Sequence, residues 1–390
     1  MMILALVLMD PAILSPRPWQ VLQRTIDNSE TDVAAVTAPG KAVVQLKLSG
    51  NEWSDSDTRT EFRLVPAAVP ASANPPDASV KSALSVAPNT TSDGWQVLPL
   101  QTLTPSQTPT PADSPPATAT AELTLPAGGW YRLEVRLQTT NGGPSRVLSV
   151  EPIGVGEVFL IAGQSYATNT SDERLQVLDS RRRVSAYHWE TGHWQPADDP
   201  QPAPDRSDGG SIWPPVGDRL AEVLNVPIGF VNVAVGGTST RQWSPDGPLS
   251  ARLHRAGQSV GVFRAVLWQQ GESDVIEGTS ADEYVNRLQA IRAAAVQAWK
   301  FQPLWLCAQS THHPTVYQNP EGEARIRTAL ATVSRLPGFG SGPDTDVLTG
   351  PNRGGPGSRR HFSPLGQRNA ARLWSDLLLA RFFSSAKSTP

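Results

Sequence analysis

The sequence predicts an α/β protein: a three-layer α/β/α domain with a mainly parallel sheet, preceded by a β-sandwich-like N-terminal domain. Three observations lead there. Before residue 152 the strand-like segments alternate apolar and polar side chains with period two, as half-buried antiparallel strands do. After Val155, strand-like and helix-like segments alternate over about 230 residues, which a parallel sheet with crossover helices needs. The later strands are continuous apolar runs, the pattern of strands covered on both faces. The 390 residues suffice for two domains of about 100–200 residues each. The expected division is 1–15 as a leader or first strand, 16–152 as the β domain, 153–384 as the α/β domain, and 385–390 as a tail.

In the first part, "VVQLKLSG" sets Val44, Leu46 and Leu48 against Gln45 and Lys47. "WYRLEVRL" sets Tyr131, Leu133, Val135 and Leu137 against Arg132, Glu134 and Arg136. Residues 104–120, "TPSQTPTPADSPPATAT", are rich in Pro and Thr and read as an exposed loop. In the second part, "EVFLIAG", "IGFVNVAV", "FRAVLWQQ" and "PLWLCAQ" read as buried strands. "PPVGDRLAEVL" reads as a helix with Val216, Leu220, Val223 and Leu224 at helical spacing. "SADEYVNRLQAIRAAAVQAW" opens with a capping box, Ser280 with Glu283, and carries Tyr284, Leu288, Ile291 and Ala295 on one face. "GEARIRTALATV" is a further helix. The last, "SPLGQRNAARLWSDLLLARFF", has Pro364 in its first turn, where proline is tolerated.

Composition excludes several classes. Net charge is −3 with acids and bases nearly balanced, so no concentrated basic face is available for a nucleic acid or an anionic membrane. The single cysteine, Cys307, forbids an internal disulfide and reads as a small buried apolar residue. No Cys/His cluster has zinc spacing, and no metal or organic cofactor is expected. The apolar run Ile3–Met9 is too short to span a bilayer. It reads as a signal-peptide core or a first strand, which leaves export to the periplasm or the outside open. Twelve Trp against five Tyr fit a core, and also sugar-stacking surfaces.

The chemistry gathers at the strand ends, where ligands sit in such sheets. "GQS" (163–165) follows the first strand, "GGTS" (236–239) the second, "QQGESD" (269–274) the third, and "STHHP" (310–314) the fourth; "RRHFSP", with His361, precedes the last helix. A serine, paired glycines, an amide, carboxylates and histidines on one edge supply what acyl transfer needs: a nucleophile, a base and oxyanion donors.

These segments resemble the SGNH (GDSL-like) hydrolases of the sialate O-acetylesterase and acetylxylan esterase group. The likeness rests on "GQS", "GGTSTRQW" at 236–243, "WQQGESD" at 268–274 and "HFSPLGQRNAARLW" at 361–374, in that order. It covers about residues 155–383, and it implies the flavodoxin-like three-layer fold of that group. It also implies a carboxylic ester hydrolase that removes O-acetyl groups from a sugar or polysaccharide. Ser165 would be the nucleophile and His361 the base. The N–H groups of Ser165 and Gly237 and the side-chain amide of Gln270 would form the oxyanion hole. Gln164, Tyr166, Arg241, His312 and His313 would border the substrate. Oligomeric state is not readable.

Two positions depart from the pattern. Tyr166 stands where the family usually has asparagine. Ser358 stands three residues before His361, where the family usually has the aspartate that supports the imidazole. Glu272 is the expected replacement, with Asp344 and Asp346 behind it and a Ser–His dyad as the remaining case. An α/β-hydrolase reading fails on position: "GQSYA" lacks the last glycine of G-x-S-x-G, and Ser165 follows the first strand of its domain. The alternative from another class is a carbohydrate-binding protein on a degenerate esterase scaffold.

Overall fold

The architecture is that of a computed structural model, and the structure describes residues 12–25, 40–49, 58–67, 94–103, 118–139, 145–314, 317–355 and 360–383. The apolar run at 3–9, Ser358 and the tail at 385–390 lie outside the described residues, as does most of the Pro/Thr-rich stretch, 104–117.

The first half is all strand: β1 (Ala12–Ser15), β2 (Val21–Gln23), β3 (Lys41–Ser49), β4 (Thr58–Pro66), β5 (Gln96–Val97), β6 (Gln101–Leu103), β7 (Thr118–Pro126), β8 (Gly128–Thr139) and β9 (Arg146–Gly163). On β3, Ala42, Val44, Leu46 and Leu48 are buried and the residues between them are exposed. β1, β3, β7 and β6 form a four-stranded antiparallel sheet. β7 begins at Thr118, so the last three residues of the stretch 104–120 are strand rather than loop. The apolar residues of this sheet share one core with Leu133, Val135 and Leu137 of β8 and with Val150, Ile153 and Val155 of β9.

Strand β9 changes the expected division. It runs for 18 residues through both halves. Its first part pairs antiparallel with β8 and parallel with β2; its second part, from Glu157, pairs parallel with β12 and β13. The main sheet therefore has eleven strands and is mixed, and the N-terminal strands continue into it instead of closing off a separate sandwich. Pro152, which reads as a boundary, falls where the β8–β9 register shifts between Tyr131 and Leu133. A proline, lacking an N–H, is tolerated at such a bulge, so the strand does not break. Glu157 seals the junction: fully buried, it accepts from Arg24 Nε at 2.7 Å and Arg264 Nε at 2.7 Å.

The second half adds β10 (Val184–His188), β11 (His193–Pro196), α1 (Trp213–Leu224), β12 (Ile228–Asn232), α2 (Thr240–Trp243), α3 (Ser250–Val260), β13 (Ala265–Gln269), α4 (Glu272–Glu277), α5 (Ala281–Trp299), β14 (Leu304–Gln309), α6 (Pro320–Val333), β15 (Phe339–Asp344) and α7 (Pro364–Phe382). The strand order is β11-β10-β12-β9-β13-β14-β15, with β11 antiparallel to β10 and the other neighbours parallel. Side chains alternate across the sheet. Val158, Leu160 and Ala162 pack with α3, α5 and α6, whereas Phe159 and Ile161 pack with α1 and α7. Helices thus cover both faces. On α1, Val216, Leu220 and Leu224 are buried, but Val223 faces solvent. Ser280 caps α5 by accepting from the Glu283 N–H, and Ser363 caps α7 in the same way from Gly366.

Candidate active site

Ser165 opens a one-turn 3-10 helix, Ser165–Ala167, directly after β9. Gly163 makes that turn possible. Its φ is +132°, and a Cβ there would lie 2.1 Å from the Gln269 carbonyl oxygen, so no side chain fits between β9 and β13. The polar residues after the serine clamp the turn. The Ser165 carbonyl accepts from Thr168 N at 2.9 Å, Thr168 Oγ1 at 3.0 Å and Thr170 Oγ1 at 2.6 Å. The Ala167 carbonyl accepts from Asn232 Nδ2 at 2.7 Å and Trp213 Nε1 at 2.8 Å. Among the described residues the Ser165 N–H has no acceptor within the chain.

The turn after β12 meets the serine. A Cβ placed on Gly236 would stand 3.7 Å from that of Ser165. Asp205 Oδ2 accepts from Gly236 N at 2.9 Å and fixes the peptide. Gly237 follows with φ +70° and open space where a side chain would stand; its N–H also lacks an acceptor among the described residues. N–H groups without partners, on neighbouring turns beside a serine, are the kind of donor an oxyanion hole needs.

Behind them lies a buried polar network. Asp274 accepts from Thr240 N at 2.8 Å, Thr240 Oγ1 at 2.7 Å and Gln270 Nε2 at 2.6 Å, and so ties the loop after β13 to the one after β12. Gln164 Oε1 accepts from Gly271 N at 3.3 Å and Ser273 N at 3.1 Å. Gln270 is fully buried. Its two amide hydrogens serve Asp274, Gln164 at 3.2 Å and the Thr238 carbonyl at 3.2 Å, and its oxygen accepts from Tyr284. Gln164 and Gln270 therefore brace the site from behind. Neither is directed at a substrate, because every hydrogen-bonding atom of the Gln270 amide already has a buried partner.

His361 lies just before α7. Its Nε2 is buried without a hydrogen-bond partner. Burial drives the imidazole pKa down to about 3, aided by the positive Arg360, then His313 and Arg353, so the ring is neutral at neutral pH. His313 is also buried, has an unpartnered Nδ1, and is pushed down to about 4 by burial and Arg360. Glu272 is fully buried. Its Oε1 accepts from Ser310 Oγ at 2.6 Å, while Oε2 has no partner, and burial pushes its carboxyl up to about 8. No hydrogen bond joins Ser165, His361 and Glu272 among the described residues; such bonds often tighten only around a substrate.

The other acids are engaged elsewhere. Asp346 accepts from Thr311 N at 2.8 Å, His312 N at 2.9 Å and Arg327 Nη1 at 2.7 Å, and Asp344 pairs with Arg327 through both nitrogens. They build the loop that carries His312 and His313 and have no bond to His361. Arg241 lies exposed in an ion pair with Glu277 at 3.1 Å, and His312 Nδ1 is 3.5 Å from Glu323. Tyr166 is buried and its hydroxyl donates to the Arg360 carbonyl, so it does not line the cleft with a free polar group. Sequence reading missed Arg353 and Asp205, which stand in loops among other polar residues with no motif to single them out. Among the described residues no group of three or more His, Cys, Asp and Glu side chains is placed to hold a metal ion.

Comparison with known proteins agrees. Residues 155–321 match the model of a carbohydrate esterase family, the sialic acid-specific acetylesterases. A probable carbohydrate esterase of Arabidopsis thaliana is 36% identical over 77 residues. That match spans 19% of this chain and 29% of the Arabidopsis protein, well under two thirds of its length. The crystal structure of a carbohydrate acetylesterase from Xanthomonas citri aligns over 97% of this chain and 76% of its own, with TM-score 0.51 and 16% identity, a likeness of fold. Through residues 155–321 the chain is thus similar to the sialic acid-specific acetylesterase family of carbohydrate esterases.

Proposed function

We propose that this protein is a serine-dependent carboxylic ester hydrolase acting on O-acetyl groups of a sugar or polysaccharide, with residues 153–384 as its catalytic unit. The observation that supports the reading is that Ser165 lies beside the turn carrying the free Gly237 N–H, while the neutral His361 packs against Tyr166, the residue next to the serine. The family match and the acetylesterase fold support the ester class.

In the proposed reaction His361 takes the Ser165 hydroxyl proton as Oγ attacks the acetyl carbonyl carbon. The N–H groups of Ser165 and Gly237 hold the oxyanion. The tetrahedral adduct collapses, and the sugar oxygen leaves with the proton from His361. Water then attacks the acetyl-serine, with His361 again as base, and acetate departs. Glu272 is the acid candidate, because of the three weighed it alone keeps an unpartnered carboxylate oxygen. It must be ionised to support the imidazolium, and that requires pH above about 8.

The test is acetate release from p-nitrophenyl acetate and a panel of acetylated sugars by wild type and Ser165→Ala. Turnover by wild type, reduced to background in Ser165→Ala, is expected. A wild type as inert as Ser165→Ala on every substrate sinks the esterase reading and leaves sugar binding on a degenerate scaffold.

A further inference from the structure

Among the described residues no hydrogen bond ties His361 to a carboxylate, and other contacts hold its segment. The three residues at this point are fixed through their carbonyls. The Arg360 carbonyl accepts from the Tyr166 hydroxyl and from Arg353 Nη1 at 3.5 Å. The His361 carbonyl accepts from Gly354 N at 2.7 Å, and the Phe362 carbonyl from Asp172 N at 3.1 Å. Of these donors only Tyr166 is covalently next to Ser165.

Its ring adds three contacts. It meets the His361 imidazole edge to face, with centroids 5.2 Å apart at 68°. It packs against Phe362 at 4.9 Å. The Arg353 guanidinium lies over it, 4.8 Å from the centroid, and over Phe362 at 5.0 Å. Arg353 is itself fixed by bonds to the carbonyls of Leu348 at 2.5 Å and Thr345 at 3.2 Å. The tyrosine is thus pinned between the nucleophile's turn, which it belongs to, and the segment that carries the base.

We propose that Tyr166 is a positioning residue for His361: its hydroxyl bond to the Arg360 carbonyl, with its ring against the imidazole, sets the spacing and tilt of the base relative to Ser165. In a triad that task falls to the acid. This rests on the reading of Ser165 and His361 as nucleophile and base. An asparagine side chain at this position would be too short to reach across to Arg360. The phenol remains a donor across the working range, since burial raises its pKa far above neutral.

The experiment compares wild type, Tyr166→Phe and Tyr166→Asn on p-nitrophenyl acetate, with His361 followed by its imidazole NMR signal over pH 3–8 and Tm as the folding control. Tyr166→Phe keeps the ring and loses one hydrogen bond. It is expected to lower kcat about tenfold and leave KM within about twofold, because the base is misplaced and the binding surface is not. The His361 signal, which resists protonation in wild type, is expected to titrate closer to an ordinary imidazole in both variants. Tyr166→Asn is expected to lose at least as much kcat. A kcat within twofold of wild type and an unmoved His361 titration, in whichever variant folds, overturn the proposal. If wild type turns over no substrate, the esterase reading fails; the His361 titration then still decides whether Tyr166 holds the ring.

Discussion

The two sides of the cleft are built differently. On the Ser165 side, three loops are stitched together by a buried network: Asp274 to Thr240 and Gln270, Gln164 to Gly271 and Ser273, Asp205 to Gly236. On the His361 side, a single chain segment hangs from carbonyl contacts made by Tyr166, Arg353, Gly354 and Asp172, and among the described residues no carboxylate is hydrogen-bonded to the imidazole. The turns that carry the Ser165 and Gly237 N–H groups are held by many partners at once, whereas the His361 segment depends on a few.

Substitutions on the dense side should do the most damage. Gly163→Ala forces a Cβ to within 2.1 Å of the Gln269 oxygen and must shift the end of β9. Turnover of p-nitrophenyl acetate is expected to fall by about 10²-fold or more. A crystal structure with Ser165 unmoved and full activity would show that the strand end tolerates the shift. Asp274→Ala comes next. It leaves the Thr240 and Gln270 donors buried without their acceptor, so denaturant unfolding is expected to report a loss of about 3 kcal/mol.

The buried titratable groups of both sides should respond to pH. The Glu272 carboxyl, raised to about 8, keeps its proton in the folded state through a range where the unfolded chain has lost it. Its contribution to stability is therefore full below the ordinary carboxylate range and is lost as pH rises through about 8. His361 and His313, held near 3 and 4, act oppositely: the unfolded chain binds their protons first, so stability is lost as pH falls below about 6.5. Tm of wild type is expected to peak near neutral pH, and Glu272→Gln to flatten only the alkaline fall. If Glu272 supports the imidazolium, kcat/KM of wild type rises through about pH 8 and that limb is missing in Glu272→Gln; the same limb in both removes Glu272 from the mechanism. The smallest effect is expected at Arg241. Its exposed pair with Glu277 touches none of the clamped turns, and Arg241→Ala should leave kcat/KM within about twofold. A larger fall on acetylated sugars, with p-nitrophenyl acetate unaffected, would return it to the substrate surface.

Much of this was legible beforehand because it is local. Period-two alternation located β3 and β8, continuous apolar runs located the central strands, and Ser280 and Ser363 announced the starts of α5 and α7. The strand-end motifs set Ser165 after β9 and Gly237 after β12, since a parallel sheet sends every carboxyl end the same way, and His361 was read at the entrance of α7. The break expected near Pro152 was not a break, because a bulge against β8 absorbs the proline.

The resemblance of the strand-end motifs to the esterase group supplied the candidate nucleophile and base; the residue types and their order determined the α/β class and the strand ends themselves. These follow from periodicity and short-range spacing, which the chain carries in itself. Tertiary structure alone decided which polar atoms are spent and which are free. Gln270 turned inward because Asp274 and Thr238 meet it across two loops. Asp344 and Asp346 went to Arg327, Glu272 kept one oxygen unpartnered, and Tyr166 reached 194 residues along the chain to Arg360. Each outcome depends on partners distant in sequence and on burial, and burial is a property of the packed whole rather than of any segment.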